Sequence, residues 1–544
     1  MITHEVLNQA PDRVDVNEFE SNVALVEAVR AWGTDAGPER LAEAGALVGS
    51  AGFQHDAELA NTHEPVLHTH DRHGKRIDEV EYHPAYHRVI GDAIARGAHT
   101  SAWAKPGPGA SVDRAAMFYL FAQVEPGHAC PVSMTHAGAA ILKNAEIPDK
   151  EQWWARAMSR EYGAGALFGM AMTEKQGGSD VRANTTAATP NADGSFSITG
   201  HKWFCSAPMS DAFFVLAQAP EGLSCFFVPR TLPDGARNTF LIQRLKDKLG
   251  NRSNASSEVE FDGTLGWLVG EPGRGVRAIL PMVSRTRLDC VIGTAAGMRQ
   301  SVAEAAWHTR YRTAFGDSLI EKPAMAAVIA DLQLESEAAT LTALRLAMAH
   351  DAPDDAGDGD ETDAAELAFR RLATAVAKYL VCKRGPGHAY EALECLGGNG
   401  YTEAFPLARR YREQPVMAIW EGSGNVIALD VLRALAREPE TFHAFFADLN
   451  QARGDYEAYD TELDAVQDLS RQLRVALLDG SAAAELRARE FAERLGTLLE
   501  ASLMLRFSPP PVAGAFVGAR LAHRSALYGV LPPGVDVEEI LARA

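Results

Sequence analysis

Apolar and polar residues change rhythm twice along this chain. Over residues 23–52 apolar positions recur at helical spacing, with Ala24, Leu25, Ala28 and Val29 on one face and Leu41 and Leu47 further on. The polar stretch before it, through about Phe19, reads as an extended arm. Residues 69–84 read as a polar loop leading into a helix, and helical segments fill 111–147 around a loop at 128–131. The rhythm then drops to period two in 195–205, 212–217, 224–228, 239–245 and 256–261, with turn-forming residues such as Asn191-Ala192-Asp193-Gly194 and Pro233-Asp234-Gly235 between them. Alternation of that kind predicts short strands of a small antiparallel β-domain. Helical spacing returns at 278–315, 323–350 and 363–382, with an acidic, structureless, solvated loop expected at 351–360. Three more amphipathic stretches follow, 463–478, 482–503 and 512–528, the last two separated by Pro509-Pro510-Pro511.

With 544 residues the chain is too long for one core. The pattern predicts an α+β, mostly α, protein. Its parts are an N-terminal helical domain with an arm (1–168), a β-barrel-like domain (169–274), a helical bundle (275–440) and an extra C-terminal helical domain (441–544). Composition adds constraints. Hydrophobic residues make up 47% and charged residues 23%, as in an ordinary globular protein. The formal net charge of −20 argues against non-specific nucleic-acid binding over the whole surface, leaving room only for a local basic patch. Six scattered cysteines without a C-x-x-C pair indicate neither a zinc site nor a disulfide framework. The start lacks a signal-peptide pattern and no apolar run spans a bilayer, so a cytoplasmic location is expected. His63, His68, His70, His73, His83 and His87 cluster in sequence, but Pro84 separates the one i, i+4 pair, so loop packing is expected rather than a metal.

Candidate chemistry gathers in two loops. Leu396-Gly397-Gly398-Asn399-Gly400-Tyr401 is rich in glycine, which permits positive φ and close approach to a ligand. Ile419-Trp420-Glu421-Gly422-Ser423-Gly424-Asn425 presents one carboxylate just before an amphipathic helix, with Ser423 or Asn425 as its N-cap. The amide groups at such a helix start can bind an anion. These two stretches, with Pro406 and Arg412 between them, resemble the acyl-CoA dehydrogenase family, whose base is a glutamate in an I-Y-E-G-T motif. Met172-Thr173-Glu174-Lys175-Gln176-Gly177-Gly178-Ser179-Asp180-Val181 is similar to that family's T-E-P-G-x-G-S-D-V segment. The resemblance runs from about Tyr82 to Arg433. The stretch from Thr69 to Pro84, together with the long extension, resembles the AidB-like branch, the flavoproteins of the bacterial adaptive response to alkylating agents.

The resemblance implies non-covalently bound FAD and an acyl-CoA substrate, short or branched chains being compatible with it while the sequence leaves the chain length open. Glu421 takes the place of the base, and burial against Trp420 and a thioester would raise its pKa. Met172, Thr173, Gly178, Ser179, Trp203, Phe204 and Cys205 fall at flavin-binding positions, as do Gly398, Ser423 and Asn425. Arg312 and Phe315 fall where a neighbouring subunit clamps the dinucleotide, implying a homotetramer. Ser179, Ser284 and Arg287 fall at substrate positions. There are departures. Cys205 stands for a threonine, Glu394 for a glutamine near the pyrophosphate, and Ser284 for an aspartate.

Three readings follow. One is an acyl-CoA dehydrogenase passing electrons to an electron-transferring flavoprotein. Another is a flavoprotein that associates with double-stranded DNA, dehydrogenation being residual. The third is an oxidase of small non-thioester substrates, against which a glutamate at the base position counts. For the DNA reading, Arg471, Arg474, Arg487, Arg489, Arg494, Arg506, Arg520 and Arg524 in the extension suit phosphate contacts, and equally suit a solvated helix face.

Overall fold

The computed structural model describes residues 3–354 and 361–544. Contacts divide the chain into two compact units, each assembled from non-consecutive stretches. The first comprises Met1–Ala51, Gly107–Val124 and Cys290–Ala544, and the second Gly52–Pro106 and Glu125–Asp289.

The second unit holds the sheet. Its first strands are a surprise. Residues 69–84, expected as a loop, belong to a hairpin of β1 (Val66–His70) and β2 (Arg76–Glu81). The turn is made by Asp71, whose carboxylate accepts the His73 and Lys75 amides, and by Gly74 at φ 82°. Polar residues stand on both faces beside Val66, Leu67, Ile77 and Val80, so alternation gave only a weak apolar signal. His83 then caps the helix Pro84–Ala95 by accepting the Ala85 amide, and His68 pairs with Glu81.

The main sheet has seven strands: β3 (Phe168–Ala171), β4 (Ala187–Pro190), β5 (Phe196–Ser206), β6 (Ala212–Ala219), β7 (Gly222–Pro229), β8 (Leu241–Leu245) and β9 (Ser256–Val269). All five expected strands are present. Most pairings are antiparallel, but β3 joins β6 in parallel, a mixed feature that period-two spacing cannot report. Phe168, Phe214 and Phe227 pack edge-on beneath the sheet, with centroids 5.6–6.1 Å apart. Each fully buried ring contributes roughly 1.5–3 kcal/mol.

The first unit is helical. Residues 23–52 break at Gly33, giving Val23–Trp32 and Gly37–Gly49, with Ala24, Leu25, Ala28 and Val29 buried. The long helices Gly275–Tyr311, of which the part from Cys290 belongs to this unit, Pro323–Met348 and Glu361–Glu394 follow. The first of these stops short of 315. Phe315 and Gly316 take φ of 53° and 93° and turn the chain into a hairpin of Thr313–Ala314 and Asp317–Ser318. Most of the expected acidic loop at 351–360 lies outside the described residues. Asp351, however, is no solvated residue, for its carboxylate accepts the Gly109 and Ser111 amides at 2.7 and 2.8 Å.

The extension packs into this same unit through buried ion pairs. Arg520 reaches Asp331 and Glu335 at 2.6 and 2.8 Å, and Arg543 reaches Glu337 at 2.8 Å.

Candidate active site

In the first unit, the helix Pro406–Ile419 ends at Trp420, whose amide still bonds Val416 O at 3.1 Å. Trp420 packs against Cys290, Cys382 and Met417. The next residue, Glu421, sits at φ 59°, and Gly422 at φ 109°. A non-glycine residue in left-handed backbone costs on the order of 1–3 kcal/mol and marks functional loops. Lys378 braces the turn from below, its buried ammonium donating to Gly422 O at 2.7 Å. Ser423 is the N-cap of the helix Gly424–Arg437, although its side chain makes no capping hydrogen bond. Ser423 and Asn425 are exposed.

The glycine loop is a single 3-10 turn, Gly397–Tyr401. A Cβ at Gly400 would stand 2.0 Å from Leu393 O, so Gly400 is needed for packing. Around Gly398 nothing lies within 4 Å, so that face is open. Glu394 is exposed and raises the Tyr390 hydroxyl above its usual range through its charge.

Arg312 and Phe315 belong to the short hairpin. Phe315 is 98% exposed, at the tip. The hairpin is held by the N-terminal arm. The Asn8 amide donates to Thr313 O and accepts from Thr313 N, both at 2.8 Å, while Arg312 donates to Asn8 O. Asn8 escaped the sequence analysis because its partner lies 305 positions away.

In the second unit, β3 leads into the Met172–Val181 motif. Glu174 is its anchor. The buried carboxylate accepts the Lys202 ammonium at 2.8 Å, the Thr185 amide at 2.7 Å, the Thr186 amide at 3.1 Å and the Gln176 side chain at 2.7 Å. Burial alone would raise its pKa, but these partners hold it well below the usual carboxylate range. Glu174 and Gly177 exchange backbone hydrogen bonds, which folds the motif back and leaves Ser179 exposed. A Cβ at Gly178 would meet Thr173 Oγ1 at 2.6 Å. Met172 O accepts from Asn184, and Thr173 O from the Trp203 amide at 2.8 Å. Lys202 was missed by the sequence analysis. The signal was available, since it is a charge at an inward position of an alternating strand.

Trp203 is partly buried, with the Lys246 ammonium 3.2 Å from its ring centroid. Phe204 is half exposed. Cys205 is wholly buried, and burial pushes its thiol up. Ser284 and Arg287 lie one turn apart on the helix Gly275–Tyr311, both partly exposed.

Each unit by itself exposes groups suited to a ligand: the second the Ser179 hydroxyl and the Phe204 ring, the first the Ser423 hydroxyl, the open Gly398 and the Phe315 ring. The buried Trp420 Nε1 has no hydrogen-bond partner among the described residues.

The extension is less suited to phosphates. Of its named arginines, Arg471, Arg487, Arg494, Arg506, Arg520 and Arg524 each pair with a carboxylate of this chain. Arg474 and Arg489 make no such pair among the described residues.

Comparison with known proteins gives the family. Residues 8–164 match the adaptive response protein AidB N-terminal domain, 169–264 the acyl-CoA dehydrogenase middle domain and 273–436 its C-terminal domain. The chain is 42% identical to AidB of Escherichia coli (strain K12) over 532 residues, covering 96% of this chain and 95% of that protein. It shares its fold with a Caenorhabditis elegans acyl-CoA dehydrogenase solved with C11-CoA (TM-score 0.84, 23% identity, 100% and 93% of the two chains). It also shares it with a Bacillus anthracis acyl-CoA dehydrogenase complexed with FAD (TM-score 0.67, 16% identity, 85% and 86%). No helix among the described residues is long and apolar enough to cross a membrane. The chain belongs to the acyl-CoA dehydrogenase family, in its AidB branch, and FAD is the cofactor of that family.

Proposed function

We propose that this protein dehydrogenates an acyl-CoA between its α and β carbons. The reaction needs a base for the α-proton and an acceptor for the β-hydride. No side chain accepts hydride, so FAD, when bound, supplies that acceptor. Glu421 takes the α-proton on its carboxylate. The observation that carries this reading is the backbone of Glu421, a non-glycine residue held at φ 59° between a packed tryptophan and a glycine that Lys378 anchors. The helix is already ended by Trp420 in extended backbone, so the left-handed turn at Glu421 is not the usual left-handed helix cap.

Met172, Thr173, Gly178, Ser179, Trp203, Phe204 and Cys205 hold the flavin side, and Gly398, Ser423 and Asn425 the dinucleotide. Arg312 and Phe315 serve a second copy of the chain, in a homotetramer. The exposed Phe315 ring supports this, because a bare aromatic at a braced hairpin tip is suited to an interface. Ser179, Ser284 and Arg287 grip the CoA end, and an electron-transferring flavoprotein takes the electrons onward. The C11-CoA held by the nematode relative supports an acyl-CoA as the substrate class.

The test is an anaerobic titration of the yellow protein with a panel of acyl-CoAs. The parent bleaches with its preferred chain length. Glu421→Gln stays yellow and does not bleach. Bleaching of that variant at the parent rate would remove Glu421 from the mechanism.

Association with double-stranded DNA finds less support, since six of the eight extension arginines are neutralised within the chain. A steep salt dependence of DNA binding would favour it, and no binding at low salt would end it.

A further inference from the structure

Within the first unit, the C-terminal extension meets the helical bundle over a set of buried charges. Asp331 and Glu335 come from the helix Pro323–Met348 and Arg384 from Glu361–Glu394. Arg520 comes from the extension, in the π-turn Gly518–Ala522. Arg384 and Arg520 donate to Glu335 at 2.7 and 2.8 Å, and Arg520 also donates to Asp331 at 2.6 Å. The other Asp331 oxygen accepts the Gly529 amide at 2.8 Å. Two guanidinium groups are thus matched by two carboxylates.

Glu500, on the helix Ala488–Phe507 of the extension, brings a third carboxyl group to this set. It is 2% exposed, and its buried Oε1 has no hydrogen-bond partner among the described residues. The charges that act on it are Glu335, Arg384 and Arg520, and both arginines are already engaged by other carboxylates. The other helices packed on Ala488–Phe507, among them Gly424–Arg437, Glu457–Leu478 and Pro510–Val517, put no charge against it among the described residues. An ionised carboxylate in such a place is strongly disfavoured, and the group holds a proton instead. Burial, reinforced by the Glu335 charge, keeps the Glu500 carboxyl well above the usual range against the pull of the two arginines. Two further groups border the set. The Tyr528 ring lies 5.4 and 5.5 Å from the Arg384 and Arg520 guanidinium carbons, and the His388 ring meets it edge-on. Burial raises the Tyr528 hydroxyl and lowers His388 to about 4, so both are neutral near pH 7.

We propose that Glu500 is a proton-controlled lock on the docking of the C-terminal extension. With its carboxyl protonated, two cations face two anions and the extension stays seated. When the proton leaves, three carboxylates face two guanidinium groups, and the segment that carries Arg520, Tyr528 and Gly529 lifts from Asp331 and Glu335. The direction with pH follows from linkage. In the opened state Glu500 meets water and titrates at its ordinary value of about 4.5, whereas in the docked state it keeps its proton to higher pH. Docking therefore weakens as pH rises above about 4.5, by up to about tenfold per pH unit, until the docked value is passed. The neighbouring groups act elsewhere on the scale. Lowered by burial, His388 strengthens docking as pH rises from about 4 to 6.5 and is constant above that. Despite burial, Arg384 and Arg520 hold Glu335 low, so it titrates only in acid.

The experiment is hydrogen exchange of the full chain, read by mass spectrometry over residues 510–529 between about pH 6.5 and 8.5, where the His388 contribution is flat. Rates are corrected for the pH dependence of exchange in an unfolded chain. Protection of this segment in the parent should fall with rising pH, by up to about tenfold per unit. Glu500→Gln keeps the shape of the neutral acid and cannot ionise, so its protection should stay level over the same range. Glu500→Met, likewise without an acid, runs as the second variant and should also stay level. Protection that does not fall in the parent overturns the lock whatever the variants do. An equal fall in the parent and in either folded variant overturns it too, because another group would then carry the proton.

Discussion

The buried pair of Lys202 and Glu174 offers the sharpest perturbation. Both side chains are inaccessible to solvent, 2.8 Å apart. Lys202→Met would leave the Glu174 carboxylate buried without a cation. Breaking a buried pair from one side costs about 3–5 kcal/mol. The Thr185 and Thr186 amides and the Gln176 side chain still donate to the carboxylate, so the lower figure applies, about 3 kcal/mol.

The sign with pH follows from linkage. In the parent the Glu174 pKa is lowered, so its contribution is present above the unfolded value, about 4.5, and is lost only as pH falls through the folded one. In the variant burial acts unopposed by an ammonium and raises the pKa, so protonation relieves the cost. The deficit against the parent should be about 3 kcal/mol at pH 7.5 and less than half of that near pH 5.

Hydrogen exchange at the Thr185 and Thr186 amides reads this locally, without treating a chain of this size as two-state. Exchange should be about a hundredfold faster in the variant at pH 7.5, with the gap narrowing in acid. Lys202→Met/Glu174→Gln, which removes both charges, should recover most of the protection. A deficit equal at both pH values, or no change in exchange, would refute the ion pair as the anchor of the motif.

Other consequences are simpler to measure. Phe315→Ala should leave the monomer's packing untouched, the ring being 98% exposed, yet weaken flavin retention and self-association on gel filtration. Asn8→Ala removes the bonds to Thr313 and should loosen flavin in the same way, with a local cost of about 1–3 kcal/mol, while flavin retained as in the parent would show that the arm does not position the hairpin. Gly398→Ala meets open space and should keep the melting temperature while lowering flavin affinity, whereas Gly400→Ala must push against Leu393 O and should lower the melt. His388 is buried, its pKa pushed down to about 4 by burial, so the native state resists protonation and stability falls as pH drops from about 6.5 toward 4. His388→Leu should flatten that slope in thermal melts, and an unchanged slope would refute the assignment.

Much of this protein was legible in its sequence, and the reason is local. Side-chain periodicity is a property of the backbone, so the strands in 195–261 and the long helices announced themselves. The loop ahead of the helix Gly424–Arg437 was visible because a carboxylate among glycines at a helix start is a local pattern. Partnerships were not visible. Lys202 and Glu174 are 28 positions apart, and Asn8 and Thr313 are 305 apart. The β1–β2 hairpin was hidden because polar residues on both faces weaken the alternation that identifies a strand. The extension shows the same limit, since its arginines looked available as a row of residues and proved largely spent once folded. Sequence alone determined which residue types stand at which spacing, and so the family and the candidate base. Only the tertiary structure decided which charges are neutralised and which remain free to meet a ligand, because electrostatic pairing depends on distances of a few ångströms between segments that the chain order does not bring together.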